Sequence, residues 1–219
     1  MSLPLAEKLR PSSLFEIAGQ EHLFEKEGFL LQSIAQKRPF SLLLFGPPGC
    51  GKTTLARLYA RAFDLPFVAL SATLQSAAEI KKLLKQAEES PLFRRQTLLF
   101  VDELHRFNRA QQDLFLPFLE DGMLILIGAT TENPSFALNG ALLSRLRVLC
   151  LKSLTESALE DILQRYEKQI GPLLLTKEAR LYLLALAQGD GRHLLNLLEN
   201  LPPRKELPFQ REELARLLQ

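Results

Sequence analysis

The sequence predicts an α/β fold: an open parallel sheet of five strands interleaved with helices, followed by a small all-helical domain. Three observations predict it. Short, nearly continuous apolar runs recur five times up to about residue 151, with helical periodicity between them. Beyond residue 152 the β-like runs stop while helical periodicity continues. The length, 219 residues, suits one full domain and a smaller companion at roughly 100–200 residues per domain.

The runs are Phe40–Phe45, Pro66–Leu70, Thr97–Val101, Leu124–Gly128 and Val148–Leu151. Each has the near-continuous apolar character of a strand covered on both faces, as in parallel sheets. Ile80, Leu83, Leu84 and Ala87 mark one intervening helical stripe, and Leu114, Phe115 and Phe118 mark another. After residue 152, Leu159, Ile162, Leu163 and Tyr166 recur at helical spacing behind Thr155, a suitable N-cap. Thr176 caps a second helix through Leu181, Leu184 and Ala185. A third runs from about Asp190 through Leu194, Leu195 and Leu198. Pro202–Pro203 interrupts the pattern before a last helix, Arg211–Leu218. The expected domains are therefore 1–152 and 153–219.

Composition excludes several classes. At 47% hydrophobic and 24% charged residues, disordered, collagen-like and coiled-coil readings fail. Lys+Arg 27 against Asp+Glu 25 leaves +2, so no pervasive basic field advertises nucleic acid; DNA contact must come from a local patch or an assembled ring. Cys50 and Cys150 form neither a disulfide framework nor a zinc site. The N-terminus carries Glu7 and lacks a signal peptide's apolar stretch, and no apolar run approaches the ~18–20 residues that span a bilayer. The expectation is a soluble protein of a reducing cytoplasm, without membrane partners.

The sharpest motif is Gly46-Pro47-Pro48-Gly49-Cys50-Gly51-Lys52-Thr53, which fits G-x-x-x-x-G-K-[ST] and is followed by Thr54. Its glycines let backbone N–H groups curl around a phosphate, and the following helix adds its positive end. Lys52 reaches the β- and γ-phosphates as a point charge, and the Thr53 hydroxyl can ligate Mg²⁺. An apolar run leads in and a helical pattern leads out, which weighs against a plain Gly/Pro surface turn. Cys50 reads as a tolerated small residue. The second element is Leu98-Leu-Phe-Val-Asp-Glu103, an apolar strand ending in two carboxylates. Strand carboxyl ends meet at the ligand crevice of such sheets, so Asp102 is placed to hold Mg²⁺. Glu103 is placed to orient and deprotonate an attacking water, which favours hydrolysis over transfer to a small acceptor.

GPPGCGKTT, LLFVDE, GATTENPSF, ALLSRLRV and GDGRHLLNLLE occur in the order of an AAA+ ATPase, a P-loop NTPase. Within that superfamily the chain resembles the RarA/MgsA group of replication-fork ATPases. The stretch VDELHRFNRAQQDLFLPFLEDG and then IGATTENPSFALNGALLSRLRV carries the resemblance most specifically, and LRPSSLFEIAGQEHL is similar too. The resemblance implies ATP and Mg²⁺ as ligands and a helical lid as the second domain. It implies that Thr130 is sensor 1, touching the γ-phosphate or the water; that Arg145 is an arginine finger acting on a neighbouring subunit; and that Arg192 is sensor 2. It places the adenine near Gly19–Gln20, with Ile17 as a wall. The implied partners are fork, single-stranded or duplex-end DNA, further copies in a ring or tetramer, and replication proteins such as single-strand-binding protein, in a nucleoid-associated setting.

Other features stay open from sequence. His105, Arg106 and Arg109 suit contact with DNA or a neighbour, or a solvated helix face. Phe107 suits base stacking or, more commonly, burial under a helix start. His22 and His193 lack metal-ligand spacing. Lys81, Lys82 and Lys85 suit a polar helix face. The competing functions are a clamp-loader-like or RuvB-like subunit, a small-molecule kinase, and a nucleotide-binding scaffold with little hydrolysis.

Overall fold

The computed structural model describes residues 3–25, 28–73, 77–89, 96–202 and 207–218. The strands are β1 (Leu42–Phe45), β2 (Phe67–Ser71), β3 (Thr97–Asp102), β4 (Leu124–Thr130) and β5 (Arg147–Cys150). The helices are α1 (Leu5–Lys8), α2 (Phe29–Ala35), α3 (Lys52–Ala62), α4 (Ala77–Glu89), α5 (Arg109–Asp113) and α6 (Leu116–Glu120). They continue with α7 (Pro134–Ala137), α8 (Gly140–Leu143), α9 (Glu156–Gln169), α10 (Lys177–Ala187), α11 (Gly191–Glu199) and α12 (Arg211–Leu217). Two compact units result: Met1–Glu21 with Pro47–Gly51 and Lys152–Gln219, and His22–Gly46 with Lys52–Leu151.

The second of these units holds the sheet, parallel throughout, in the order β2-β3-β4-β1-β5. All seven residues of β4 are buried, and Leu42, Leu43 and Leu44 of β1 are wholly buried, as strands covered on both faces require. Three strands run further than their apolar runs: β2 reaches Ser71, β3 reaches Asp102 and β4 reaches Thr130, because backbone pairing continues past the last large apolar side chain. Helix α3 buries Lys52, Leu55, Ala56 and Tyr59, a spacing that puts one face on the sheet. The Tyr59 hydroxyl accepts from the Phe40 amide at 3.0 Å and meets Ser33 Oγ at 3.2 Å; burial pushes its pKa up.

The expected stripe of Leu114, Phe115 and Phe118 is divided between α5 and α6. Pro117 has no N–H with which to continue an α5 ladder, so the chain restarts at Leu116 while Phe115 stays buried. In α4, Ile80 and Leu84 are buried and Lys81 and Lys82 exposed; the side chains of Leu83, Lys85 and Ala87 lie outside the described residues, as does Pro203.

In the helical unit each expected cap is made. Thr155 Oγ1 accepts from Ala158 N–H, Thr176 Oγ1 from Ala179 N–H, both at 3.2 Å, and Asp190 Oδ1 from His193 N–H at 2.8 Å. Leu159, Leu163, Leu183, Leu194 and Leu198 form its core with Phe209 and Leu214. No helix among the described residues is long and apolar enough to cross a membrane.

Arg180 of α10 binds Glu160 through Nε (2.9 Å) and Glu167 through Nη1 (2.9 Å), both carboxylates lying on α9. These hydrogen bonds hold both carboxylates below their ordinary range, with the Arg180 charge adding to the effect. A lowered folded-state pKa gives stability that is present above the unfolded value, 4.5, and lost as pH falls through the folded one. Thermal melting is therefore expected to lose stability progressively below about pH 5. Arg180→Met should lower the melting temperature at pH 7 and flatten this acid limb, by about 1 kcal/mol once solvent screening is allowed for.

Candidate functional site

In the sheet unit, the carboxyl ends of β3, β4 and β1 lie side by side. Phe45 pairs with Thr130 and Val101 with Gly128, so Asp102, Glu103 and Thr130 share one edge. Gly46 follows β1 directly. Its N–H donates to the Thr130 carbonyl at 3.2 Å, and its own carbonyl accepts from Lys52 Nζ at 2.7 Å. The Lys52 side chain is thereby drawn back over the start of α3 and is buried. A Cβ on Gly46 would lie 2.5 Å from the Leu151 carbonyl oxygen, so only glycine permits this approach. Thr53 and Thr54, on the first turn of α3, are half-buried.

Asp102 and Glu103 are both half-buried, and Asp102 Oδ1 accepts from the Glu103 amide at 3.1 Å. Glu103 itself is left-handed, φ 55°, ψ 42°, a conformation that costs a non-glycine residue about 1–2 kcal/mol. The next residues form a 3-10 turn, Leu104–Arg106, whose Leu104 is buried against Gly128; a Cβ there would meet Leu104 Cδ2 at 2.4 Å. This turn carries His105 inward rather than onto a solvated face, and its ring nitrogen Nδ1 lies 3.0 Å from Thr130 Oγ1. Arg106 and Arg109 are exposed. Phe107 is buried with its ring stacked on Phe115, centroids 6.0 Å apart, so it is a core residue and not a base-stacking surface. Arg145, after α8, is exposed and paired within its own chain: Nη2 with Glu120 and Nη1 with the Ala141 carbonyl at 2.8 Å.

The helical unit contains the middle of the glycine-rich loop. Gly49 (φ 63°) and Gly51 (φ 103°) take left-handed backbone that L side chains avoid. Space forbids a side chain at Gly49 as well, since a Cβ would fall 1.7 Å from Asp190 Oδ1. The Gly191 N–H donates to the Gly49 carbonyl at 3.2 Å, so the start of α11 is hydrogen-bonded to the loop. Pro47 is half-buried, Pro48 exposed and Cys50 buried. Ile17 is buried with its Cγ2 within 3.5 Å of a Cβ position on Gly51. Arg192 is exposed and makes no ion pair or side-chain hydrogen bond among the described residues.

Gln20 is wholly buried and was not recognisable as a structural residue from the sequence. Its amide forms a two-way pair with the Lys152 backbone, accepting from N–H at 3.0 Å and donating to C=O at 2.8 Å. It also donates to the Cys50 carbonyl at 3.3 Å, tying loop to backbone. A lone polar side chain carries no periodic signal, so only the fold reveals it.

These features coincide with what comparison with known proteins finds. The sequence model of the ATPase family associated with various cellular activities (AAA) matches residues 42–154. The chain belongs to that family. It is 46% identical over 202 residues to replication-associated recombination protein A of Haemophilus influenzae and 44% identical to that of Escherichia coli K12, in each case across 90% of this chain. It is 42% identical over 202 residues to the ATPase WRNIP1 of Dictyostelium discoideum, covering 90% of this chain and 23% of that protein. The chain spans about half, 45%, of the length of the first two relatives. Among solved structures, the RuvB Holliday junction branch migration motor of Thermotoga maritima aligns with a TM-score of 0.77 at 27% identity, over 96% of this chain and 72% of that one. The P-loop α/β fold and the AAA assignment read from the sequence are thus upheld.

Replacing Gln20 removes three hydrogen bonds at a buried position. Gln20→Leu is expected to destabilise the chain by about 2–3 kcal/mol, at roughly 1 kcal/mol per bond, read as a lower urea midpoint with unchanged slope.

Proposed function

We propose that this chain is a Mg²⁺-dependent ATP hydrolase that acts on DNA at stalled or damaged replication forks. The observation that carries the reading is the edge where Lys52, Gly46 and Thr130 are joined by hydrogen bonds while Asp102 and Glu103 end the adjoining strand. In this reading residues 1–152 bind the nucleotide and residues 153–219 are its lid. Gly46 to Thr54 wrap the phosphates, with Lys52 exchanging its Gly46 contact for phosphate oxygen. Ile17 walls the adenine.

Thr53 and Asp102 offer a hydroxyl and a carboxylate, hard oxygen donors that fit Mg²⁺. Mg²⁺ supplies charge neutralisation across the β- and γ-phosphates. Glu103 takes the proton of the attacking water, and the Thr130 hydroxyl orients that water or the γ-phosphate. Arg192 approaches the phosphates from the lid, and Arg145 of a neighbouring copy completes the charge balance after leaving Glu120. DNA, a ring or tetramer of further copies, and single-strand-binding protein are the proposed partners, in the cytoplasm at the nucleoid. Strand separation belongs to the same proposal.

The comparisons favour this over a RuvB-like subunit: identities are 44–46% to replication-associated recombination protein A, against 27% to RuvB. A nucleotide-binding scaffold with little hydrolysis is the second reading, favoured by Arg145 being engaged within its own chain.

Phosphate release with and without single-stranded, duplex and forked DNA tests the proposal. Glu103→Gln should retain ATP binding and lose turnover by about 10²–10⁴-fold, as loss of a general base requires. Lys52→Ala should lose binding. Specific activity of the wild type should rise with protein concentration, and Arg145→Ala should abolish that rise. Flat specific activity with oligomers shown absent would refute the role of a neighbouring arginine.

A further inference from the structure

His105 stands between three groups at the end of the sheet. Its side chain is only 6% exposed, with Nδ1 3.0 Å from Thr130 Oγ1. On the other side of the ring, Nε2 lies 3.3 Å from Glu103 Oε2 and 3.4 Å from Glu132 Oε1. Ionised carboxylates only accept hydrogen bonds, so Nε2 carries a proton. Thr130 Oγ1 accepts from the Glu132 amide at 3.0 Å and lies 3.3 Å from the Glu132 carbonyl, to which its hydroxyl can donate. The ring is therefore held with Nδ1 toward the Thr130 hydroxyl and Nε2–H toward the two carboxylates.

The geometry points to His105 as the positioning residue for the Glu103 carboxylate, tying it to the Thr130 hydroxyl across the ends of β3 and β4. This rests on the reading of Glu103 as the base for water. A glutamate has three side-chain torsions, and a base must reach its proton within about 3 Å. One oxygen fixed by Nε2–H leaves Oε1 free for water and removes most of that freedom. The left-handed backbone of Glu103 and the turn after it bring the ring to this place, since the Arg106 amide closes on the Glu103 carbonyl at 2.8 Å. Glu132 lies nearly as close to Nε2 and precedes Asn133, the N-cap of α7, so the segment that starts at Thr131 also bears on how firmly Glu103 is held.

Two measurements test this. In ¹⁵N spectra of the three histidines, one, absent from His105→Gln, should show a proton fixed on Nε2, and Thr130→Val should shift its Nδ1 resonance. Averaged tautomers, or a proton on Nδ1 alone, would overturn the proposal. In steady-state ATP hydrolysis, His105→Ala should lower kcat about 10–100-fold with KM unchanged, the scale expected from misplacing a reacting group. His105→Gln, whose amide N–H reaches the same carboxylate, should recover a large part. Unchanged or increased kcat in His105→Ala, or a raised KM alone, would also overturn it. Wild-type protein that hydrolyses no ATP under any condition sinks the hydrolytic reading instead, and the tautomer measurement then decides the positioning by itself.

Discussion

One glycine fixes the geometry on which the rest depends. Gly46 hands its amide proton to Thr130 and takes one from Lys52 on its carbonyl, so the loop's first residue locks a strand end to a lysine ammonium. The absence of a side chain is what lets the backbone come this near the Leu151 carbonyl. Lysine without an anion would be costly to bury, and a peptide carbonyl is a weak substitute for phosphate oxygen. The contact therefore holds Lys52 inside at modest strength.

The middle of the same loop is anchored differently. Gln20, Gly191 and Ile17 meet residues 49–51 through hydrogen bonds and contact, and Asp190 leaves no room at Gly49. These partners come from segments far apart in sequence, near residue 20 and near residue 190. The loop's left-handed glycines are thus held by tertiary contacts on top of their own backbone preference.

Much of this was legible beforehand. Continuous apolar runs announced all five strands; β1, β3 and β4 are buried on both faces and have no polar side to show, whereas β2 and β5, at the sheet's edges, are partly open. Thr155, Thr176 and Asp190 announced three helix starts, because capping is a local interaction. The glycine spacing announced the loop for the same reason. What could not be read were matters of direction. His105 lies beside exposed Arg106 in a charged stretch, and only a left-handed Glu103 followed by a tight turn sends it inward. Phe107, read as more commonly buried under a helix start, is buried there, while Pro117 divides α5 from α6 through a stripe whose spacing ran on unbroken. The partners of Gln20 and Arg145 are distant in sequence, so no local pattern encodes them.

The two thiols differ in a way that is useful at the bench. Cys50 is shut inside the glycine-rich loop, whereas Cys150 is open to solvent at the end of β5. A maleimide dye added under native conditions should therefore attach at one edge of the sheet first. That would give a spectroscopic reporter on the protein without engineered cysteines and without a label in the glycine-rich loop.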